Sequence, residues 1–182
     1  MPYNDIWRNI RKIMHQLLTA KQADAYRPFQ DTESKQLLWD YLTKPEYFHG
    51  RISATVDPNN PSKASPYNAE NSAGSNYGPS NQALIDRVKK DAQSTRQENG
   101  LPSGTQVPVD LVTADFSGVD PDITEAAALI QVNRVASARS LDSTKVRSLI
   151  ESHVQGRILG IFGEPHVNVL DVNMALDSGE AR

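Results

Sequence analysis

The sequence has no cysteine among its 182 residues, which excludes disulfide bonds, thiol catalysis and cysteine-ligated metal sites. It also has no long apolar run. Its most apolar N-terminal part, residues 6–20, is interrupted by Arg8, Arg11 and Lys12, so neither a membrane span of about 20 residues nor a signal peptide is expected there. The net charge of −3 predicts no basic face for nucleic acid. We therefore expect this chain alone to be soluble.

Catalytic motifs are also missing. The four histidines are far apart and form no HExxH pair, so no metal site is predicted. Neither a GxSxG elbow nor a Walker A loop occurs, which leaves no catalytic residue to name. Asp115, Asp120 and Asp122 surround the turn "SGVDPD", where aspartate is favoured for turn formation and helix capping. We interpret them as structural residues.

Helical periodicity appears near the N-terminus. Apolar residues recur at helical spacing over residues 4–19, with basic residues off that stripe, which predicts an amphipathic helix. Such a helix either packs on a domain or partner, or lies on an anionic membrane surface. A second helix is predicted over residues 32–42, before Pro45.

The rest of the chain predicts an α+β fold in which several helices pack on a small sheet. Asn81 is a candidate N-cap for a helix to about residue 98, and Asp122 and Asp142 are candidate caps for two later helices. A brief strand or an extended entry is predicted at "VPVDL" (107–111), and a buried strand at "GRILGIFG" (156–163). A strand is also predicted at the start of "HVNVLDVNMALD" (166–177), which then becomes helical. One domain, with the N-terminal amphipathic helix attached, is expected.

Two segments stand out from this pattern. "YFHGR" (47–51) combines two aromatic rings, an imidazole and a guanidinium; these residues either anchor a partner or form part of the core with Arg51 in an ion pair. "SPYNAENSAGSNYGPSN" (65–81) has the composition of a linker, but Tyr67 and Tyr77 and its irregular glycines favour an ordered loop.

Several stretches in the same order resemble the KdpC family, the C subunit of the Kdp-type potassium-transporting ATPase. They are "YFHGRISAT" (47–55), "YNAENSAGSNYGPSNQALIDRV" (67–88), "VPVDLVTADFSGVDPDITEAAALIQVNRVASAR" (107–139) and "GEPHVNVLDVNMALD" (163–177). By this resemblance, residues 45–182 are a KdpC-like soluble domain. Residues 1–44 are a helical segment in place of the membrane-spanning helix with which the family normally begins.

The resemblance implies an accessory, non-catalytic subunit of an ATP-driven potassium transport complex. Such a subunit supports assembly and ATP binding by the catalytic subunit, and it is located at the cell membrane as part of the complex. Its implied partners are the ATP-hydrolysing and the potassium-translocating subunits, with neither nucleic acid nor a membrane span of its own. No cofactor of its own is implied, and ATP is the candidate ligand if there is one.

Three hypotheses follow. In the first, the protein acts by partner contact through the "YFHGR" region and the 65–81 loop, and its partner-binding residues are Tyr47, Phe48, His49, Arg51 and Asn76. In the second, it is a free-standing nucleotide-binding or regulatory protein, and its amide and guanidinium contacts to nucleotide are Gln131, Asn133 and Arg134. The third, an unrelated small enzyme, lacks a catalytic constellation in the sequence.

Overall fold

Five helices and seven very short strands form the described part of the chain, which is residues 43–57, 60–64, 74–115 and 120–181 of a computed structural model. The helices are α1 (Gln82–Glu98), α2 (Glu125–Leu129), α3 (Val132–Arg139), α4 (Ser143–His153) and α5 (Val169–Ser178). The strands are β1 (Ile52–Ser53), β2 (Val56–Asp57), β3 (Asn60–Ala64), β4 (Ala114–Asp115), β5 (Asp122–Ile123), β6 (Val154–Gln155) and β7 (His166–Asn168). The two N-terminal helices predicted from sequence lie outside the described residues.

The strands form three small sheets. In the largest, β7 lies between β5 and β6 and pairs antiparallel with both, with Val167 opposite Ile123 on one side and Val154 on the other. β1 pairs parallel with β4, and β2 pairs antiparallel with β3. Strands of two to five residues have few ladder hydrogen bonds, so the sheets contribute less to the fold than helix packing does. The α+β class predicted from sequence is confirmed.

Polar caps fix where the helices begin. Asn81 Oδ1 accepts the N–H of Ala83 at 2.9 Å, and Asp142 Oδ1 accepts that of Thr144 at 2.8 Å, which confirms both predicted N-caps. The third predicted N-cap, Asp122, was wrong. Asp122 lies in β5, where its side chain accepts a hydrogen bond from Asn168, and Thr124 caps α2 instead.

Two further strand predictions were wrong. Residues Val109–Leu111 form a single 3-10 turn, because Val112 N–H donates back to Val109 O at 3.1 Å and the chain does not stay extended. "GRILGIFG" is no buried strand but an exposed hairpin with one bridge, Ile158 to Phe162. The strand-to-helix change predicted for residues 166–177 is confirmed by β7 and α5.

The hydrophobic core of the described residues is formed by α2 to α5, by the inner face of β5 and β7, and by Phe48, which precedes β1. Its largest fully buried side chain is Phe48, which is 1% exposed. The other core residues are mostly aliphatic: Leu111, Ile123, Ala127, Ala128, Val132, Val135, Ala136, Val146, Leu149, Ile150, Val167, Val169, Val172, Ala175, Leu176 and Ala181. Among the described residues, no helix has both the length and the apolarity needed to cross a membrane.

Candidate partner-binding site

The aromatic segment, which we define as residues 45–51, lies against α3 and α5 with alternating side chains. Phe48 enters the core, while Tyr47 and His49 on either side of it are partly exposed. Alternation of this kind is what an extended backbone imposes, since successive side chains point to opposite sides. One residue thus anchors the segment and its neighbours remain near the surface.

Two buried amide side chains bind the backbone of the aromatic segment. Asn173 Oδ1 accepts the N–H of Phe48 at 2.8 Å, and Asn173 Nδ2 donates to Phe48 O at 3.0 Å. Gln131 does the same for His49, accepting its N–H at 2.9 Å and donating to its C=O at 3.0 Å. Each amide thereby satisfies both main-chain groups of one residue, as a neighbouring strand would. This pairing accounts for the burial of two uncharged polar residues.

Two arginines of α3 hold the carbonyl groups that precede Phe48. Arg134 Nη1 donates to Pro45 O at 2.7 Å and to Tyr47 O at 2.9 Å, and its Nη2 donates to Gln131 Oε1 at 2.7 Å. Arg139 Nε donates to Glu46 O at 2.6 Å. Burial lowers the pKa of Arg134, and the carboxylate of Glu98 opposes that shift.

Tyr47 lies on the outer side of the segment in a small polar cluster. The guanidinium of Arg139 is 4.7 Å from the centre of its ring, a cation–π geometry, and Arg139 Nη2 also donates to Asp177 Oδ1 at 2.7 Å. The Tyr47 hydroxyl donates to Asp177 Oδ2 at 3.4 Å. Burial and the negative charge of Asp177 raise the pKa of Tyr47, while Arg139 works in the other direction.

His49 connects the aromatic segment to the end of α1. Its Nδ1 is 2.8 Å from Glu98 Oε1, and its Nε2 is 3.0 Å from Lys44 O. The hydrogen bond from His49 lowers the pKa of Glu98, and the charges of His49 and Arg134 add to that effect, while burial opposes it. Charge and hydrogen bonding outweigh burial here, so Glu98 remains ionised at neutral pH.

Arg51, at the end of the segment, makes only long side-chain hydrogen bonds. Its Nη1 is 3.4 Å from Asp120 Oδ2 and its Nη2 is 3.5 Å from Thr113 Oγ1, both long contacts. Its buried Nε has no hydrogen-bond partner among the residues that the structure describes. The side chain is 31% exposed, so its guanidinium is accessible to an external acceptor.

The predicted loop is described from residue 74 onward, and residues 65–73 lie outside the described residues. Asn76 is exposed and has a φ of 50°, in the left-handed region that Asn tolerates better than most residues. Tyr77, beside it, is also exposed. Whether the whole 65–81 loop is ordered remains a prediction.

The structure brings together some of the residues predicted as two separate sites: Gln131 and Arg134 bind the backbone of Tyr47 and His49. Gln131 and Arg134, assigned to nucleotide, have their side chains directed at the aromatic segment, whereas Asn133 is exposed. Within the partner-binding set, Phe48 is a core residue and offers no exposed side chain; Tyr47, His49, Arg51 and Asn76 are at or near the surface.

Sequence reasoning missed Asn173, Arg139 and Glu98. One of them left a signal: Asn173 falls on the helical stripe of Val169, Val172 and Leu176, where a polar residue on a buried face requires a hydrogen-bonding partner. Arg139 and Glu98 carried no local signal, because charged residues near helix C-termini are common on exposed faces.

Fold and site together define a small α+β domain built around one extended segment, with its buried polar side chains used to fix that segment in place. A model of the family described as "KdpC: K+-transporting ATPase, c chain" matches residues 12–178. The chain belongs to the KdpC family.

Relatives from several bacteria support this assignment, and each carries the name "Potassium-transporting ATPase KdpC subunit". The protein from Rhodopseudomonas palustris (strain BisB18) is 51% identical over 166 residues, which is 88% of this chain and 82% of the relative. That from Bradyrhizobium sp. (strain BTAi1 / ATCC BAA-1182) is 52% identical over 82% of this chain and 77% of its own length. That from Methylobacterium nodulans (strain LMG 21967 / CNCM I-2342 / ORS 2060) is 53% identical, with coverages of 78% and 71%.

Proposed function

We propose that this chain is an accessory, non-catalytic subunit of an ATP-driven potassium transport complex at the cell membrane. Its role is to support assembly and, through the assembled complex, ATP binding by the catalytic subunit. Membership of the KdpC family supports this role, since the relatives are named as subunits of a potassium-transporting ATPase. The observation that carries it is that three buried polar side chains serve structure instead of chemistry. Asn173, Gln131 and Arg134 all bind the main chain of the aromatic segment.

The contact surface we propose comprises the outer residues of the aromatic segment together with the loop before α1. Arg51 is its strongest candidate for contacting a partner, because its side chain is 31% exposed and its Nη atoms make only long contacts, of 3.4 and 3.5 Å, within the chain. A guanidinium held this loosely can bind a partner's carboxylate. His49 and Tyr47 lie along the same segment, and Asn76 is exposed in the loop. The partners proposed are the ATP-hydrolysing and the potassium-translocating subunits.

For nucleotide, we propose no site on this chain and therefore no cofactor. Of the three candidate contacts, Gln131 and Arg134 already use their donors and acceptors on the aromatic segment, and a nucleotide would have to displace these bonds. Only Asn133 is exposed, and one amide is insufficient to bind a triphosphate. This chain therefore influences ATP binding only through its contact with the catalytic subunit, without binding ATP itself.

Co-purification tests this proposal. An affinity-tagged full chain is co-expressed with the other subunits, and their recovery is compared between wild type, Arg51→Glu and Arg147→Glu. Arg147 is an exposed arginine of α4, so it controls for the change of charge. We expect Arg51→Glu to lower recovery about tenfold or more and Arg147→Glu to leave it unchanged, with equal unfolding midpoints by circular dichroism. Absence of the other subunits from the wild-type preparation, or ATP hydrolysis proportional to the amount of this chain alone, would contradict the proposal.

A further inference from the structure

The segment between β6 and β7 forms a short hairpin, residues 157–164, which we call the apolar hairpin. Ile158 and Phe162 pair across it, with N–H to C=O distances of 2.9 and 3.0 Å. Ile158, Leu159, Ile161 and Phe162 are 72%, 84%, 72% and 63% exposed. The other large apolar side chains exposed in the described part are separate residues of distant segments. Scattered exposure is ordinary, whereas four large apolar side chains in five residues mark an interaction site.

The shape of the apolar hairpin is fixed before anything binds. Leu159 has a φ of 54°, in the left-handed region that a branched side chain adopts at a cost, and Gly160 follows it at 73°. Gly160 N–H donates to Arg157 O at 3.0 Å. At the base, Arg157 Nη2 donates to both carboxylate oxygens of Glu164, at 2.9 and 2.7 Å. A strained turn retained at an exposed tip is typical of functional segments, and a preformed shape favours binding to a receptor of matching shape.

We propose that the apolar hairpin inserts into an uncharged, apolar pocket on another subunit of the same complex. This inference rests on the proposed function, from which it takes the existence of that subunit. Residues 158–163 carry no charge, and Arg157 and Glu164 neutralise each other, so the pocket is uncharged at its centre with a polar rim. A standard interface buries about 800 Å² on each partner, more than one hairpin tip provides. The apolar hairpin is therefore the centre of a larger contact.

Charge and shape disfavour two other occupants. A second copy of this chain would have to offer a matching uncharged pocket, but two of the depressions on the described surface contain charged side chains, Lys145 and Glu180 in one and Lys89 and Arg96 in the other. An anionic bilayer attracts segments with free basic residues, and the arginine of the apolar hairpin is already paired with Glu164.

The test uses the tagged full chain co-expressed with the other subunits. The variant Leu159→Asn, Ile161→Thr, Phe162→Thr removes the apolar surface, and Asn tolerates the positive φ at position 159. The control, Val109→Thr with Met174→Gln, changes two exposed apolar residues elsewhere. We expect the variant to retain about a tenth or less of the wild-type recovery of the other subunits, with an unchanged unfolding midpoint, and the control to match wild type.

A photo-crosslinker identifies the occupant. With p-benzoylphenylalanine in place of Phe162, irradiation of the assembled complex should join this chain to another subunit. Crosslinks to lipid, to a second copy or to nothing would overturn the proposal, as would wild-type recovery by the hairpin variant. These results leave the proposed function standing, because it is contradicted by different outcomes: recovery of no other subunit with wild type, or ATP hydrolysis proportional to this chain alone.

Discussion

Replacing Asn173 by leucine should destabilise the domain far more than the small change in side-chain volume suggests. The side chain is fully buried and makes both hydrogen bonds to the backbone of Phe48, at 2.8 and 3.0 Å. Leucine fills a similar volume but leaves a buried N–H and a buried C=O without partners, and each unsatisfied group costs about 1–3 kcal/mol. The expected loss is about 2–6 kcal/mol, a large share of a typical stability of about 5–15 kcal/mol.

Thermal unfolding followed by circular dichroism measures this loss. For a chain of this size, 1 kcal/mol shifts the midpoint by about 2–4 °C. The matched control is Asn133→Leu, the same exchange at an exposed position of α3, where we expect a change within about 0.5 kcal/mol. If Asn173→Leu behaves like that control, the two amide bonds do not hold the aromatic segment, and our account of the site fails.

Three further predictions concern the same segment. Phe48→Ala should cost about 3–5 kcal/mol, because Phe48 is a core anchor; a variant as stable as wild type in urea would contradict this. The pKa of Glu98 lies below its ordinary 4.5, so its stabilising contribution is present above pH 4.5 and is lost as the pH falls below that value. Glu98→Gln should therefore show a smaller loss of stability in acid than wild type, and identical acid unfolding curves would refute this. The pKa of Tyr47 is raised above 10.0, so in an absorbance titration the Tyr47→Phe variant should lack the component that ionises above the ordinary value; loss of an ordinary component instead would argue against the Asp177 contact.

Local features of the fold could be predicted from the sequence. Asn81 and Asp142 precede apolar residues at helical spacing, and capping depends only on backbone groups two or three residues away. Asp122 met the same local criterion and still failed as a cap, because pairing of β5 with β7 joins it to Asn168, 46 residues further along the chain. Periodicity contains no information about contacts at that separation.

In the candidate site, too, local residue types could be predicted from the sequence, whereas long-range contacts could not. "YFHGR" could be recognised as unusual from its residue types, but its support could not, since Gln131 and Arg134 lie more than 80 residues from the backbone groups of this segment that they bind. The apolar hairpin was misread for a different reason. A short apolar run has the same sequence whether it is buried in a sheet or exposed at a tip, and only the fold determines which.

The bonds between Asn173 and Phe48 also constrain the order in which the protein can fold during synthesis. Their two residues are 125 positions apart, so Phe48 leaves the ribosome well before the amide that satisfies its backbone has been made. At about 5–20 residues per second, that interval is about 6–25 s. Throughout it the largest side chain of the core has no finished site to occupy. The domain is thus expected to complete its fold only once α5 has been translated, and until then Phe48 lacks the contacts that bury it.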